Sequence, residues 1–154
     1  MSIDNAKQLM STGTEDGRSI LSIEPYDVPE LKEHEVVVQM EAVPINPSDL
    51  GLLTAAVNMD TVRSETVDGH PALVADVEPA MQPFFAGRAG KKMAAGNEGA
   101  GKVVAAGSSD AAQALMGKTV TIVGGEMYRT HRVMPAMMCV PLPEGASARE
   151  GAYH

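Results

Sequence analysis

Two short runs hold the residues best suited to chemistry. In Pro44-Ile45-Asn46-Pro47-Ser48-Asp49-Leu50 an amide, a hydroxyl and a carboxylate lie close together, and in Gly96-Asn97-Glu98-Gly99-Ala100-Gly101 a carboxylate is bracketed by glycines. The Asn46 amide offers donors to a carbonyl or hydroxyl and an acceptor to a second amide. Its competing role is an Asx turn ahead of Pro47. Asp49 and Glu98 are able to orient a catalytic group, or to serve structure by accepting backbone amides or pairing with an arginine such as Arg129 or Arg132. The glycines allow a tight turn and a close approach to another surface.

Metal chemistry has little to draw on. His34, His70, His131 and His154 show no paired ligand spacing, and Cys139 is the single cysteine. No Gly-x-Gly-x-x-Gly run is present, and Gly117-Lys118-Thr119 lacks the glycine a phosphate-binding loop needs at position 112, where Ala112 stands.

The elements that must position these residues read mostly as strands. Over Glu35–Val43, Val36, Val38, Met40 and Ala42 fall on one face and Val37, Gln39, Glu41 and Val43 on the other, and Asp16-Gly17 and Gly124-Gly125 are turn signals. Pro47 opens a short predicted helix. Ser109 caps another that Gly117 stops. Ser147-Ala148-Arg149-Glu150 fits a capping box and announces a helix near the C-terminal end, with a frayed tail as the alternative.

These runs resemble the N-terminal catalytic domain of the medium-chain dehydrogenase/reductase superfamily, and most closely its zinc-free quinone oxidoreductases and related enoyl reductases. In that family a strand leads into an Asn-Pro-Ser-Asp-like turn and a Gly-x-Glu-Gly-x-Gly loop opens the next long strand. The later runs Gly117–Gly125, Tyr128–Val133 and Val140–Gly145 look like its closing strands. The resemblance implies an α+β, mainly β fold: a GroES-like irregular, partly open β-barrel with a few short helices. It further implies that residues 1–146 form the substrate-side domain, with an insertion around 55–95, and that 147–154 begin the helix leading to a Rossmann cofactor domain this chain does not contain.

By the same resemblance, the catalytic candidates are Asn46 and Asp49, with Asn46 and Ser48 toward the nicotinamide of NADPH or NADH. Leu50, Leu53, Phe84 and Phe85 are the substrate-side candidates, and Gly96, Asn97, Glu98, Gly99 and Gly101 form the structural loop. Zinc-dependent relatives carry Cys in the first turn and His in the second loop. Here Asn46, Pro47 and Ser48 occupy the one and Asn97 the other, so no zinc is expected. The implied reaction is direct hydride transfer to a quinone, enone or enal. Enoyl reductases of this group use a tyrosine near Leu50, and none occurs between Tyr26 and Tyr128. A non-enzymatic GroES-like binding or assembly module is the alternative function. Phe84 and Phe85 have the alternative of being core or dimer-interface anchors, which leaves room for a homodimer.

Composition bounds the rest. A chain of 154 residues is the size of one domain. Aromatic residues are only 3 % and there is no Trp, so aliphatic residues and 11 Met must fill the core. The net charge of −8 argues against nucleic acid or an anionic membrane as partner. Arg88, Lys91 and Lys92 form the one basic cluster, read as a solvated loop or as a contact to a cofactor phosphate. No apolar run reaches the ~20 residues of a membrane helix. The unpaired cysteine and the absence of a signal-peptide pattern set the expectation of a cytoplasmic protein.

Overall fold

The computed structural model describes residues 3–153, and the chain divides into two units, one comprising the described residues of 1–7, 25–45 and 96–154 and the other 8–24 and 46–95. Strands dominate and the helices are short.

In the first unit, β3 (Glu35–Ala42) and β7 (Glu98–Ala106) form the middle of a five-stranded antiparallel sheet, completed by β8 (Thr119–Val123) and β10 (Cys139–Pro141) on one side and β9 (His131–Pro135) on the other. The two-residue period read from β3 holds: Val36 and Val38 are fully buried in a core with Val103, Val120, Ile122, Met127 and Met134, and Met40 packs against it. Val37 is also buried, on the opposite face, where it lines an open groove with Leu31 and Met116. The register slips between Val37 and Val38, leaving Val104 of β7 without an opposite residue. Such bulges bend a strand and increase its twist.

Two helices complete this unit. The predicted helix after Ser109 is α3 (Asp110–Gln113), whose cap forms as the serine Oγ accepts the Ala112 amide at 3.2 Å. The capping box near the C-terminal end also forms. Glu150 accepts the Ser147 amide at 2.8 Å and opens α4 (Ala148–Gly151). This short helix is docked: Ala148 and Ala152 are buried against Ala100 and Ala42, and Thr121 Oγ1 donates to the Gly151 carbonyl at 2.7 Å.

In the second unit, β1 (Lys7–Gly13), β2 (Arg18–Pro25), β4 (Arg63–Val67), β5 (His70–Asp76) and β6 (Lys92–Ala94) form a sheet in the order β4-β5-β2-β1-β6. The segment 55–95, expected as an insertion, supplies three of these strands, with β5 paired to both β2 and β4. Asp68 and Gly69, at φ 51° and 80°, turn β4 into β5. Asp-Gly is the pair that this mirror-image hairpin turn favours. Ile20, Ala72 and Val74 form one small core, and Ala56, Val77 and Phe85 a second, the latter reached by α2 (Gln82–Ala86).

Candidate functional site

The Asn46 turn is built by the end of one strand and the start of one helix. After β3 the chain passes through buried Pro44 and exposed Ile45 to Asn46, whose φ of −86° and ψ of 156° mark the residue before α1 (Pro47–Thr54). Pro47 at the first helical position fixes φ where no amide hydrogen is required. Asp49, only 2 % exposed, reaches back to accept the Asn46 backbone amide at 2.9 Å, and the Asn46 carbonyl accepts the amides of Asp49 and Leu50. Asp49 is therefore a strut of the turn. Asn46 is half-buried, Ser48 and Leu50 are exposed, and Leu53 is half-buried further along α1.

The two phenylalanines do not share a surface. Phe85 is buried with Ala56, Val77 and Met81, whereas Phe84 is 72 % exposed. The core-anchor role thus falls to Phe85, leaving Phe84 the available member of the pair. The basic cluster is also divided. The Arg88 guanidinium lies 5.0 Å from the Phe85 ring centroid and donates to Ser11 Oγ at 2.9 Å, while Lys92 pairs with the buried Glu24 carboxylate. Burial pushes Glu24 up, but the Lys92 and Ser22 hydrogen bonds outweigh it and hold the carboxyl below its ordinary value. Lys91 is exposed.

The glycine loop lies in the first unit. Gly96 is buried with φ +98°, and a Cβ there would meet the Tyr128 backbone nitrogen at 2.9 Å and the tyrosine ring at 3.0 Å. At Gly101 a Cβ would collide with the Gln39 carbonyl oxygen of β3. These are the close approaches that the glycine spacing implied. Exposed Asn97 uses its carbonyl to accept the amides of Gly124 and Gly125 at 3.1 and 3.2 Å, and Glu98 is the half-buried first residue of β7. Beyond Gly125 the chain places Glu126 at φ 60°, a conformation rare outside glycine. Its carboxylate meets Arg129 at 3.1 Å and Arg132 at 3.7 Å, while the Arg129 guanidinium lies 4.4 Å from the Tyr26 ring centroid.

Tyr128 is the residue that sequence reasoning passed over. Its hydroxyl donates to the Pro44 carbonyl at 3.3 Å, two residues before Asn46. The available signal was an aromatic just after a Gly-Gly turn. Sequence alone could not say which loop it would meet.

No group of three or more His, Cys, Asp and Glu is placed to hold a metal ion among the described residues. His34 contacts Glu33 at 2.6 Å, and His131 lies 2.9 Å from Thr130 Oγ1, with burial lowering its pKa below 6.5. His154 lies outside the described residues. The lone thiol, Cys139, is buried and pushed up to about 11, so it is a poor nucleophile. No helix among the described residues is long and apolar enough to cross a membrane.

No protein-family model matches the chain, and no curated protein does. Solved structures do. A protein described as an NADPH:quinone reductase from Mesorhizobium loti matches at 22 % identity and a TM-score of 0.57, over 99 % of this chain and 41 % of its own. The CurK enoyl reductase matches at 19 % identity and a TM-score of 0.62, over 97 % and 39 %. A protein described as a zinc-binding dehydrogenase from Clostridium scindens matches at 16 % identity and a TM-score of 0.64, over 96 % and 44 %. The chain has their GroES-like fold. It spans about two fifths of their length, and both zinc-binding and reductase descriptions occur among them.

Proposed function

We propose that this chain is the substrate-side domain of a zinc-independent, NAD(P)H-dependent oxidoreductase that passes hydride to a quinone or an α,β-unsaturated carbonyl. The observation that carries the reading is the Asn46 turn: a half-buried asparagine at the start of a helix, locked in a capping box with a buried carboxylate, Asp49. The names of the matched NADPH:quinone and enoyl reductases support the reaction class.

In this reading a reduced nicotinamide, held mainly by a Rossmann domain, would supply the hydride. The Asn46 amide donates to the acceptor's carbonyl oxygen, where negative charge grows as the hydride arrives. Asn46 and Ser48 are the residues that would hold its carboxamide. Leu50, Leu53 and Phe84 give the acceptor apolar surface. A proton from water completes the reduction. The domain comprises residues 1–146, and 147–154 begin the connection to the cofactor domain. Asn46 and Asn97 stand where zinc relatives place Cys and His, and an amide is a poor zinc ligand. The acceptor is thus polarised by hydrogen bonding. We place the protein in the cytoplasm, as a homodimer.

The test uses the polypeptide that carries this chain, with NADPH and a quinone or enone acceptor. Asn46→Ala is expected to lower kcat/KM about 10²-fold, the scale for losing one donor to a developing oxyanion. Undiminished turnover in the variant would remove Asn46 from the reaction.

A further inference from the structure

We infer that Tyr128 is a positioning residue for Asn46. The inference rests on the proposed role of Asn46 in reduction and assigns a device that steadies the chain leading to it, beside the Asp49 brace. The ladder between β3 and β7 ends at Ala42 opposite Ala100. The chain must then cross Val43, Pro44 and Ile45 without a strand partner before reaching Asn46. Buried Pro44 has its carbonyl within reach of the Tyr128 hydroxyl at 3.3 Å, and the same tyrosine packs where a Cβ on Gly96 would stand. One side chain thereby ties the approach to the Asn46 turn to the start of the glycine loop.

Tyr128 is itself held firmly. Its neighbour Met127 is fully buried, and the Met127 amide donates to the Gly96 carbonyl at 3.2 Å. Glu126 sits at φ 60° while bridging Arg129 and Arg132, and Arg129 in turn covers Tyr26. A non-glycine residue persists in that conformation where its surroundings over-determine it. The resulting loop is a stiff mount for the tyrosine hydroxyl. Small displacements of a positioned group cost rate steeply, up to about 10²-fold for 1 Å.

Tyr128→Phe keeps the ring against Gly96 and deletes only the hydroxyl. In the polypeptide that carries this chain it is to be compared with Asn46→Ala and with the double variant, using NADPH oxidation by a quinone. The expected result is a loss of about tenfold in kcat/KM for Tyr128→Phe, the scale of one neutral hydrogen bond. The double variant should then be no slower than Asn46→Ala alone, because a residue that acts through another is non-additive with it. Amide exchange at Asn46, Asp49 and Leu50 should also accelerate in Tyr128→Phe. Losses that multiply, or unchanged exchange at those three amides, would overturn the inference. Asn46→Ala turning over like the wild type would instead overturn the proposed function, and the assignment of Tyr128 with it.

Discussion

Replacing Asp49 by alanine separates a structural carboxylate from a catalytic one. Asp49 is 2 % exposed and its oxygen accepts the Asn46 amide at 2.9 Å, at the N-terminal turn of α1. A hydrogen bond to a charged group contributes about 1.5–3 kcal/mol. The favourable placement of an anion at a helix start adds about 0.3–1 kcal/mol. Against this stands the relief of desolvation when a buried carboxylate is removed. Asn46 is only half-buried, so water can reach the amide left behind. The net is about 2 kcal/mol, which for a chain of this length lowers the melting temperature by about 4–8 °C. Asp49→Asn retains an acceptor oxygen and should restore about half of that loss. Thermal unfolding followed by circular dichroism measures both variants. A melting temperature within about 1 °C of wild type for Asp49→Ala would refute the strut and return Asp49 to the chemistry.

Other expectations follow from single contacts. Gly101→Ala drives a methyl into the Gln39 carbonyl oxygen, so β7 must move away from β3; about 3 kcal/mol should be lost, seen as a lower urea midpoint, and a midpoint unchanged from wild type would contradict the packing. Glu24 is held below the ordinary glutamate value of 4.5 by Lys92 and Ser22, so its contribution is fully present above about pH 4.5 and is lost as pH falls through the lower folded value. In Lys92→Met, with the Ser22 hydroxyl and His70 still facing the carboxyl, burial becomes dominant and raises that pKa, so stability should increase as pH falls from about 6 to 4.5. Urea midpoints across that range that run parallel in the two proteins would dismiss the ion pair as the cause. Cys139, pushed up to about 11, should react with a disulfide reagent at pH 8 at least about 100-fold more slowly in the native protein than in urea.

The parts of this fold that sequence exposed are those where one physical signal acts alone. Val36, Val38 and Met40 were legible because one face of β3 meets the main core. The Ser147 box was legible because its two hydrogen bonds are local. Gly96 and Gly101 were legible because only glycine tolerates those approaches. The 55–95 segment read as an insertion for equally physical reasons. β4 is a polar edge strand, Arg63-Ser64-Glu65-Thr66-Val67, with little to bury, and β6 has three residues. β6 pairs with β1, which lies far away in sequence, whereas β4 pairs with its neighbour β5. The Asp68-Gly69 turn was the signal available there. At the candidate site the Asn46 turn could be read from its Pro and Asp, whereas the Tyr128 contact with Pro44 spans 84 residues, and nothing local names the partner.

The central claim is direct hydride transfer to an acceptor bound beside Asn46. It is tested most directly by supplying the polypeptide that carries this chain with NADPH deuterated at the transferable C4 position and an enone in ordinary water, then locating the label in the product by mass spectrometry and NMR. One deuterium at the β-carbon, formed more slowly in Asn46→Ala, is the predicted result. Product without label, or no reduction of any quinone or enone, would contradict the account.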